Sequence, residues 1–222
     1  MKEVVEALAE VVERAREEFD KKDASREEAL RLCREVTRNS AKAIKHAHRG
    51  EWEEAEGTLK AAGEFLAHVK RILKPYPELL YSGFVQDAER EYSEAALTLS
   101  LVRGKSPPTP EELGVEVTSY LNGLAEAMGE LRRHVVDKLR AGLPPQECEP
   151  LISLMDEVYY LLVGLDYPEA MLQGLRRRVD ILRGLIEKTR SDVASAAMQR
   201  ELEEHLRRIR REAEESGKEP GA

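Results

Sequence analysis

Cysteine is nearly absent from the 222 residues: only Cys33 and Cys148 occur. They stand far apart, and neither has the Cys or His spacing of a zinc site. A disulfide scaffold and a zinc module are both excluded, and the pair reads as reduced thiols of a cytoplasmic protein. Aromatics are scarce as well, at 5%. Trp52 and the seven tyrosines are scattered like core and loop anchors rather than grouped as a platform for stacking bases. No run of about 18 uninterrupted apolar residues exists, so no membrane-spanning helix is expected. The stretch MKEVVEALAEVVERAREEF is acidic and amphipathic and lacks the apolar segment of a signal peptide. There is no glycine-rich phosphate loop, no Ser-His-Asp pattern, and no repeat of the length that builds a solenoid.

What is present is helical. Ala, Leu, Glu and Arg dominate, with 35% charged and 41% hydrophobic residues, the composition of long helices rather than of a sandwich. Net charge is −8, which argues against nucleic-acid binding if taken as an average. The placement of charge matters more than its sum. Basic residues cluster in 26–49 and 176–190, while much of the acid lies in 1–20 and after Arg211.

The boundaries are well punctuated. Ser25-Arg26-Glu27-Glu28 reads as a capping box starting a helix that runs to about Arg49, with Gly50 as its stop. The segment before it reads as helix too, continuous or broken near Lys22-Asp23. A second helix spans about Trp52 to Leu73, ahead of Pro75 and Pro77. A third runs from about Glu78 to Val102. Thr109-Pro110-Glu111-Glu112 starts a fourth, to about Arg140, with Gly114 loosening its start. A fifth covers Pro145 to Val163, and the last runs from about Pro168 past Ile209. Residues 1–214 are therefore expected to form one all-α domain, an antiparallel bundle of six or seven long helices, with a disordered tail over 215–222.

Two helices carry carboxylates at helical spacing. Asp87, Glu91 and Glu94 fall within about 60° of one another at 100° per residue. Glu126 and Glu130 stand at i and i+4 on the next helix, with Gly123 before the pair and Gly129 within it. Each glycine costs about 1 kcal/mol relative to Ala inside a helix, so close approach of a backbone or a substrate is expected there. Antiparallel packing of the two helices would let five carboxylates converge. Clustered carboxylates repel, and magnesium, which takes oxygen ligands and keeps some of its waters, would relieve that. The same spacing also occurs on ordinary solvated faces.

Arg34, Arg38, Lys42, and Lys45 or Arg49 form a line on the first long helix, with Thr37 and Ser40 close by. Such a ridge suits phosphate oxygens. Arg176, Arg177, Arg178, Arg183 and Arg190 make a second candidate ridge, for which pairing with helical Glu is the alternative. His46 and His48 do not share a face, which excludes a two-His metal motif.

Four blocks together resemble the translin and translin-associated factor X (TRAX) family, its archaeal members in particular. They are Arg34-Glu35-Val36-Thr37 through His48-Arg49-Gly50; Glu91-Tyr92-Ser93-Glu94-Ala95; Tyr120-Leu121-Asn122-Gly123-Leu124 with Gly129-Glu130-Leu131-Arg132-Arg133; and Leu175 through Arg183. Their order and spacing carry the likeness over roughly residues 26–210. The resemblance implies a translin-like bundle assembled into a hollow homo-oligomer, usually an octamer, with RNA and single-stranded DNA bound inside. It places the catalytic glutamates at Glu91 and Glu94 and the family's catalytic aspartate at Glu126. Glu130 matches the Glu of its block, while Asp87 joins from the helical face alone. The implied function is a magnesium- or manganese-dependent endoribonuclease. Asp87, Glu91, Glu94, Glu126 and Glu130 would be its metal ligands. Arg34, Thr37, Arg38, Lys42, Lys45, Arg49, Arg133, Arg178 and Arg183 would contact nucleic acid. The alternatives are a non-catalytic nucleic-acid-binding shell and an all-α nucleotide pyrophosphohydrolase.

Overall fold

The computed structural model describes residues 1–216, and among these there is no strand. The tail expected from Glu215 lies outside the described residues from Gly217 onward; Glu215 and Ser216 still belong to the last helix. The helices are α1 (Lys2–His48), α2 (Trp52–Leu73), α3 (Pro77–Leu80), α4 (Gly83–Val102), α5 (Pro110–Leu113), α6 (Val117–Arg140), α7 (Glu149–Val163), α8 (Glu169–Leu172) and α9 (Leu175–Ser216). Among the described residues no helix is long and apolar enough to cross a membrane.

Several expected boundaries shift. α1 is one unbroken helix, so Ser25 is not a cap: its hydroxyl donates back to the Lys21 carbonyl at 3.1 Å. The helix stops where Gly50 adopts φ +75°. The Thr109 capping box is real, but it opens only the single turn of α5. Gly114, at φ +64°, ends that turn, and α6 starts afresh at Val117. The third expected helix is split at Tyr81-Ser82 into α3 and α4. The fifth opens with a 3-10 turn over Pro145–Cys148. The last is split into α8 and α9 by Gln173 and Gly174, both in the left-handed region.

Two main cores meet at the central helix α4. One packs α1, α2 and α4 through Leu32, Val36, Leu66, Val69, Leu73 and Val85. The other packs α4, α6, α7 and α9 through Leu97, Met128, Leu131, Met155, Leu175 and Leu182. Each fully buried Leu contributes about 2 kcal/mol by removing apolar surface from water. Cys33 and Cys148 are buried free thiols, and burial first, then Glu89, pushes the Cys33 thiol up to about 11.

The direction of α4 against α6 differs from expectation. The amide of Glu116, just before α6, donates to Glu89 at 3.3 Å, Gly123 lies against Arg90 through Glu94, and Leu97 packs among Ala127, Met128 and Leu131. Positions rise together along both helices, so they run parallel. The connection over 103–116 doubles back along α4, and the Tyr120 hydroxyl pins it by donating to the Pro108 carbonyl at 2.9 Å. The buried Glu89 closes this corner with Lys70, whose ammonium also donates to the Gly114 carbonyl at 2.5 Å.

Candidate active site

The α4–α6 seam is unusually tight, and Gly123 is the reason. A Cβ added there would lie 2.7 Å from the Arg90 carbonyl oxygen, 2.8 Å from Ser93 Cβ and 2.9 Å from the Glu94 amide. Only a missing side chain lets the backbones meet this closely. Ala125 and Ala127 on α6 are small and buried as well. The close approach expected at Gly123 is therefore found. At Gly129 it is not: an added Cβ would meet only Leu185 Cδ1, at an ordinary 3.9 Å.

The seam draws together charges from four helices. Arg90 of α4 donates to Glu126 of α6 and, at 3.0 Å, to Glu91. Arg178 of α9 donates through Nε to the other Glu126 oxygen at 2.8 Å and through Nη1 to the Asn122 amide oxygen at 2.9 Å. Asn122 is buried, and its Nδ2 donates to the Thr118 and Leu172 carbonyls at 2.8 and 3.0 Å. Glu130 meets His48 of α1 at 2.5 Å and Arg133 at 3.6 Å. The hydrogen bond from His48 is the main cause that holds the Glu130 carboxyl below its ordinary range.

Glu94 sits at the centre of this arrangement without a hydrogen bond among the described residues. Burial first, then the charges of Glu126, Glu91 and Glu130, push its carboxyl up to about 8, against a smaller pull from Arg90. At neutral pH it holds its proton. Beside it opens a cavity of about 300 Å³, lined by Glu94, Glu126 and Arg178 on the polar side and by Ile181, Leu182 and Leu185 on the apolar side.

Four of the five expected carboxylates thus share one electrostatic neighbourhood. Asp87 stands apart, with its side chain 72% exposed and 3.7 Å from Arg90. Among the described residues no three His, Cys, Asp or Glu side chains stand ready to hold one ion. Arg90 and Arg178 cover oxygens of Glu91 and Glu126 instead. The donor set still fits a hard divalent ion, because Glu91, Glu94, Glu126 and Glu130 offer only carboxylate oxygens. Burial does most to raise the Glu94 carboxyl, and the charges of Glu126, Glu91 and Glu130 add to it more than Arg90 takes away.

The ridge on α1 lies in the open. Arg34, Thr37, Arg38, Lys42, Lys45 and Arg49 are all exposed, and Arg38 spends part of its charge on Glu35 at 3.3 Å. The His48–Glu130 contact brings the last turn of α1, with Lys45 and Arg49, to the level of the seam. Arg133 is exposed one turn from Glu130. The second ridge is dispersed: Arg178 turns into the seam, Arg176 pairs with Asp166, Arg183 with Glu187 and Arg190 with Asp156. Sequence reasoning missed Arg90 and His48 as partners of the carboxylates. A base set among acids at Asp87-x-x-Arg90-Glu91 was a signal for the first. Nothing local signals His48, which is 82 residues from Glu130.

No protein-family model matches the chain. It is 32% identical to the uncharacterized protein MJ0175 of Methanocaldococcus jannaschii over 192 residues, 85% of this chain and 83% of that protein. Two solved structures, AfC3PO and AfC3PO with duplex RNA, are 37% identical to it with a TM-score of 0.78. Both cover 85% of this chain, and they are themselves matched over 98% and 97% of their lengths. C3PO is the complex of translin and TRAX. This chain belongs to the translin/TRAX family. Apo-NeC3PO shares the translin fold with it at 22% identity and a TM-score of 0.74. The resemblance to the translin/TRAX family and the translin-like all-α fold therefore hold.

Proposed function

We propose that this translin/TRAX-family protein is a divalent-metal-dependent endoribonuclease acting at the α4–α6 seam. The observation that carries the reading is Glu94, which lines a cavity and whose carboxyl is pushed up to about 8 by burial first and then by the charges of Glu126, Glu91 and Glu130. Groups so perturbed by burial and named neighbours concentrate at functional sites. Glu91, Glu94, Glu126 and Glu130 would hold magnesium or manganese, with Asp87 as an outer carboxylate. The ion would supply a Lewis acid at a phosphodiester.

The chain's own groups define the rest. The exposed Arg34, Thr37, Arg38, Lys42, Lys45 and Arg49, with Arg133, hold phosphates without reading bases. Arg183 extends this set once it leaves Glu187. Arg178, fixed by Asn122, orients Glu126 and presents a guanidinium edge to the cavity. Glu94 holds a proton at its carboxyl in the free protein, and Ile181, Leu182 and Leu185 give the cavity an apolar wall. Binding of duplex RNA by AfC3PO, at 37% identity, supports RNA as the ligand. Single-stranded DNA binding and assembly into a hollow homo-oligomer, an octamer, belong to the same proposal.

A specific observation favours a second reading, the non-catalytic nucleic-acid-binding shell: Arg90 and Arg178 already occupy Glu91 and Glu126. Incubation of the protein with short RNA and magnesium separates the two. Cleavage that disappears in the Glu91→Ala/Glu94→Ala double variant supports the nuclease. Salt-sensitive RNA binding without cleavage in magnesium or manganese supports the shell. Hydrolysis of nucleoside triphosphates with RNA left intact would point to the pyrophosphohydrolase.

A further inference from the structure

Arg90 and Arg178 both stand on the carboxylates of the seam, yet they are held in different ways. Arg178 is anchored by groups that are not carboxylates. Its Nη1 donates to the Asn122 amide oxygen at 2.9 Å and to the Gln173 carbonyl at 3.4 Å. Asn122 is itself fixed by the Thr118 and Leu172 carbonyls. A Cβ added at Gly174, which has φ +89°, would stand 2.7 Å from the same Nη1. The left-handed turn between α8 and α9 is thus shaped around this guanidinium.

Arg90 has no such anchor. Every hydrogen-bond or ion-pair partner of its guanidinium among the described residues is a carboxylate: Glu126 across the seam, Glu91 at 3.0 Å and Asp87 at 3.7 Å. Its Nε is buried and has no hydrogen-bond partner. A buried N–H left unmet carries a cost, so charge alone holds Arg90 where it is. The two arginines also divide Glu126 between them. Arg178 takes Oε1 at 2.8 Å, and Arg90 takes Oε2. Departure of Arg90 would free one oxygen of Glu126 and one of Glu91 while the other Glu126 oxygen stays held. The third partner, Asp87, lies one turn back along α4 with its side chain 72% exposed. A guanidinium leaving the seam therefore has an acceptor within reach on the solvent side.

The oxygens that Arg90 covers are those that a divalent ion at the seam would need. A guanidinium and a divalent cation on the same carboxylates repel one another, so both cannot hold them at once. We infer that Arg90 is a built-in counter-cation of the seam, which covers Glu91 and Glu126 in the metal-free protein and is displaced toward Asp87 when the ion binds. This rests on the reading of the seam as a divalent-metal site. It makes Arg90 a positioning residue, and it gives Asp87 a part that acts through Arg90. It also reconciles the two arginines with that reading: Arg178 stays and keeps Glu126 oriented, and Arg90 leaves.

Calorimetric titration of manganese and magnesium into the full chain, with melts in chelator, tests it. Arg90→Gln removes the competitor and should bind the ion about tenfold more tightly than the wild type. The same variant should melt at a lower temperature in chelator, where Glu91 and Glu126 lose their counter-cation. An arginine with a structural role alone would lower Tm without tightening the ion. Arg90→Lys keeps the charge without the fork and should fall between the two, and it carries the test if Arg90→Gln is too unstable. Asp87→Asn takes away the second acceptor and should weaken the ion about threefold in the wild type and leave it unchanged in Arg90→Gln. An ion bound equally or more weakly by both Arg90 variants, or an Asp87→Asn effect of the same size in both backgrounds, would overturn the proposal and leave the metal site standing. No binding by the wild type or by either Arg90 variant would overturn the metal reading and the proposal with it.

Discussion

The α4–α6 seam and the two free helix ends depart from the usual partition in opposite directions. The seam half-buries Glu91, Glu94, Glu126 and Glu130 side by side, while the ends, at the start of α1 and the finish of α9, hold Val4, Leu8, Leu202 and Leu206 out in solvent. Charged groups are ordinarily outside and aliphatic ones inside, and each departure costs free energy in an isolated subunit. The two costs have different remedies. Crowded, half-buried carboxylates are relieved by a cation or a proton, and the raised pKa of Glu94 favours the proton there in the free protein. Bare aliphatic stripes are relieved only by another surface. The contrast separates two kinds of departure, excess charge at the seam and excess oil at the ends, and each calls for a different remedy.

The largest expected effect breaks the seam itself. Gly123→Val places side-chain atoms where backbone of α4 already stands, and about 3 kcal/mol of stability should be lost in urea unfolding. Gly129→Ala, whose added Cβ meets only ordinary contact, should be tolerated.

Glu94→Gln should have the opposite sign. The folded-state pKa of Glu94 is raised, so its contribution to stability is fully present below the unfolded value of about 4.5 and is lost as pH rises toward about 8. Removing the titration should therefore stabilise the metal-free protein at pH 8, by about 2 kcal/mol, and change little near pH 4. Thermal melts across that range check both the sign and the window. A variant more stable yet inactive would separate the seam's function from its packing.

His48→Ala works the other way with pH. Glu130 is held low, chiefly by its bond to His48, so that contribution is present above the unfolded carboxyl value and fades as pH falls through the lowered one. The variant should lose about 1 kcal/mol at pH 7 and much less near pH 3. At the free ends, Leu8→Ser should move the unfolding free energy of the isolated subunit by less than about 0.5 kcal/mol, since the side chain is already in water.

Much of this was legible in the sequence, for reasons that particular residues make plain. α2 could be read to the residue because Gly50 precedes it and Pro75 follows it. The carboxylate rows were readable because helical period depends only on local geometry. Ser25 misled because a long amphipathic pattern overrode a local capping signal, and its hydroxyl found the Lys21 carbonyl instead. The parallel run of α4 and α6 was hidden because it depends on how the 103–116 connection folds back, which no residue in either helix encodes. The roles of Arg90 and His48 followed from that same packing, as did the turn of Arg178 away from a phosphate ridge and onto Glu126.

The central claim is that the seam binds a divalent cation. Calorimetric titration of magnesium into the wild type and into Glu91→Gln/Glu94→Gln tests it most directly. The account predicts saturable binding in the wild type and its loss in the variant, with the helical content of both unchanged. Indistinguishable isotherms for the two proteins would contradict it.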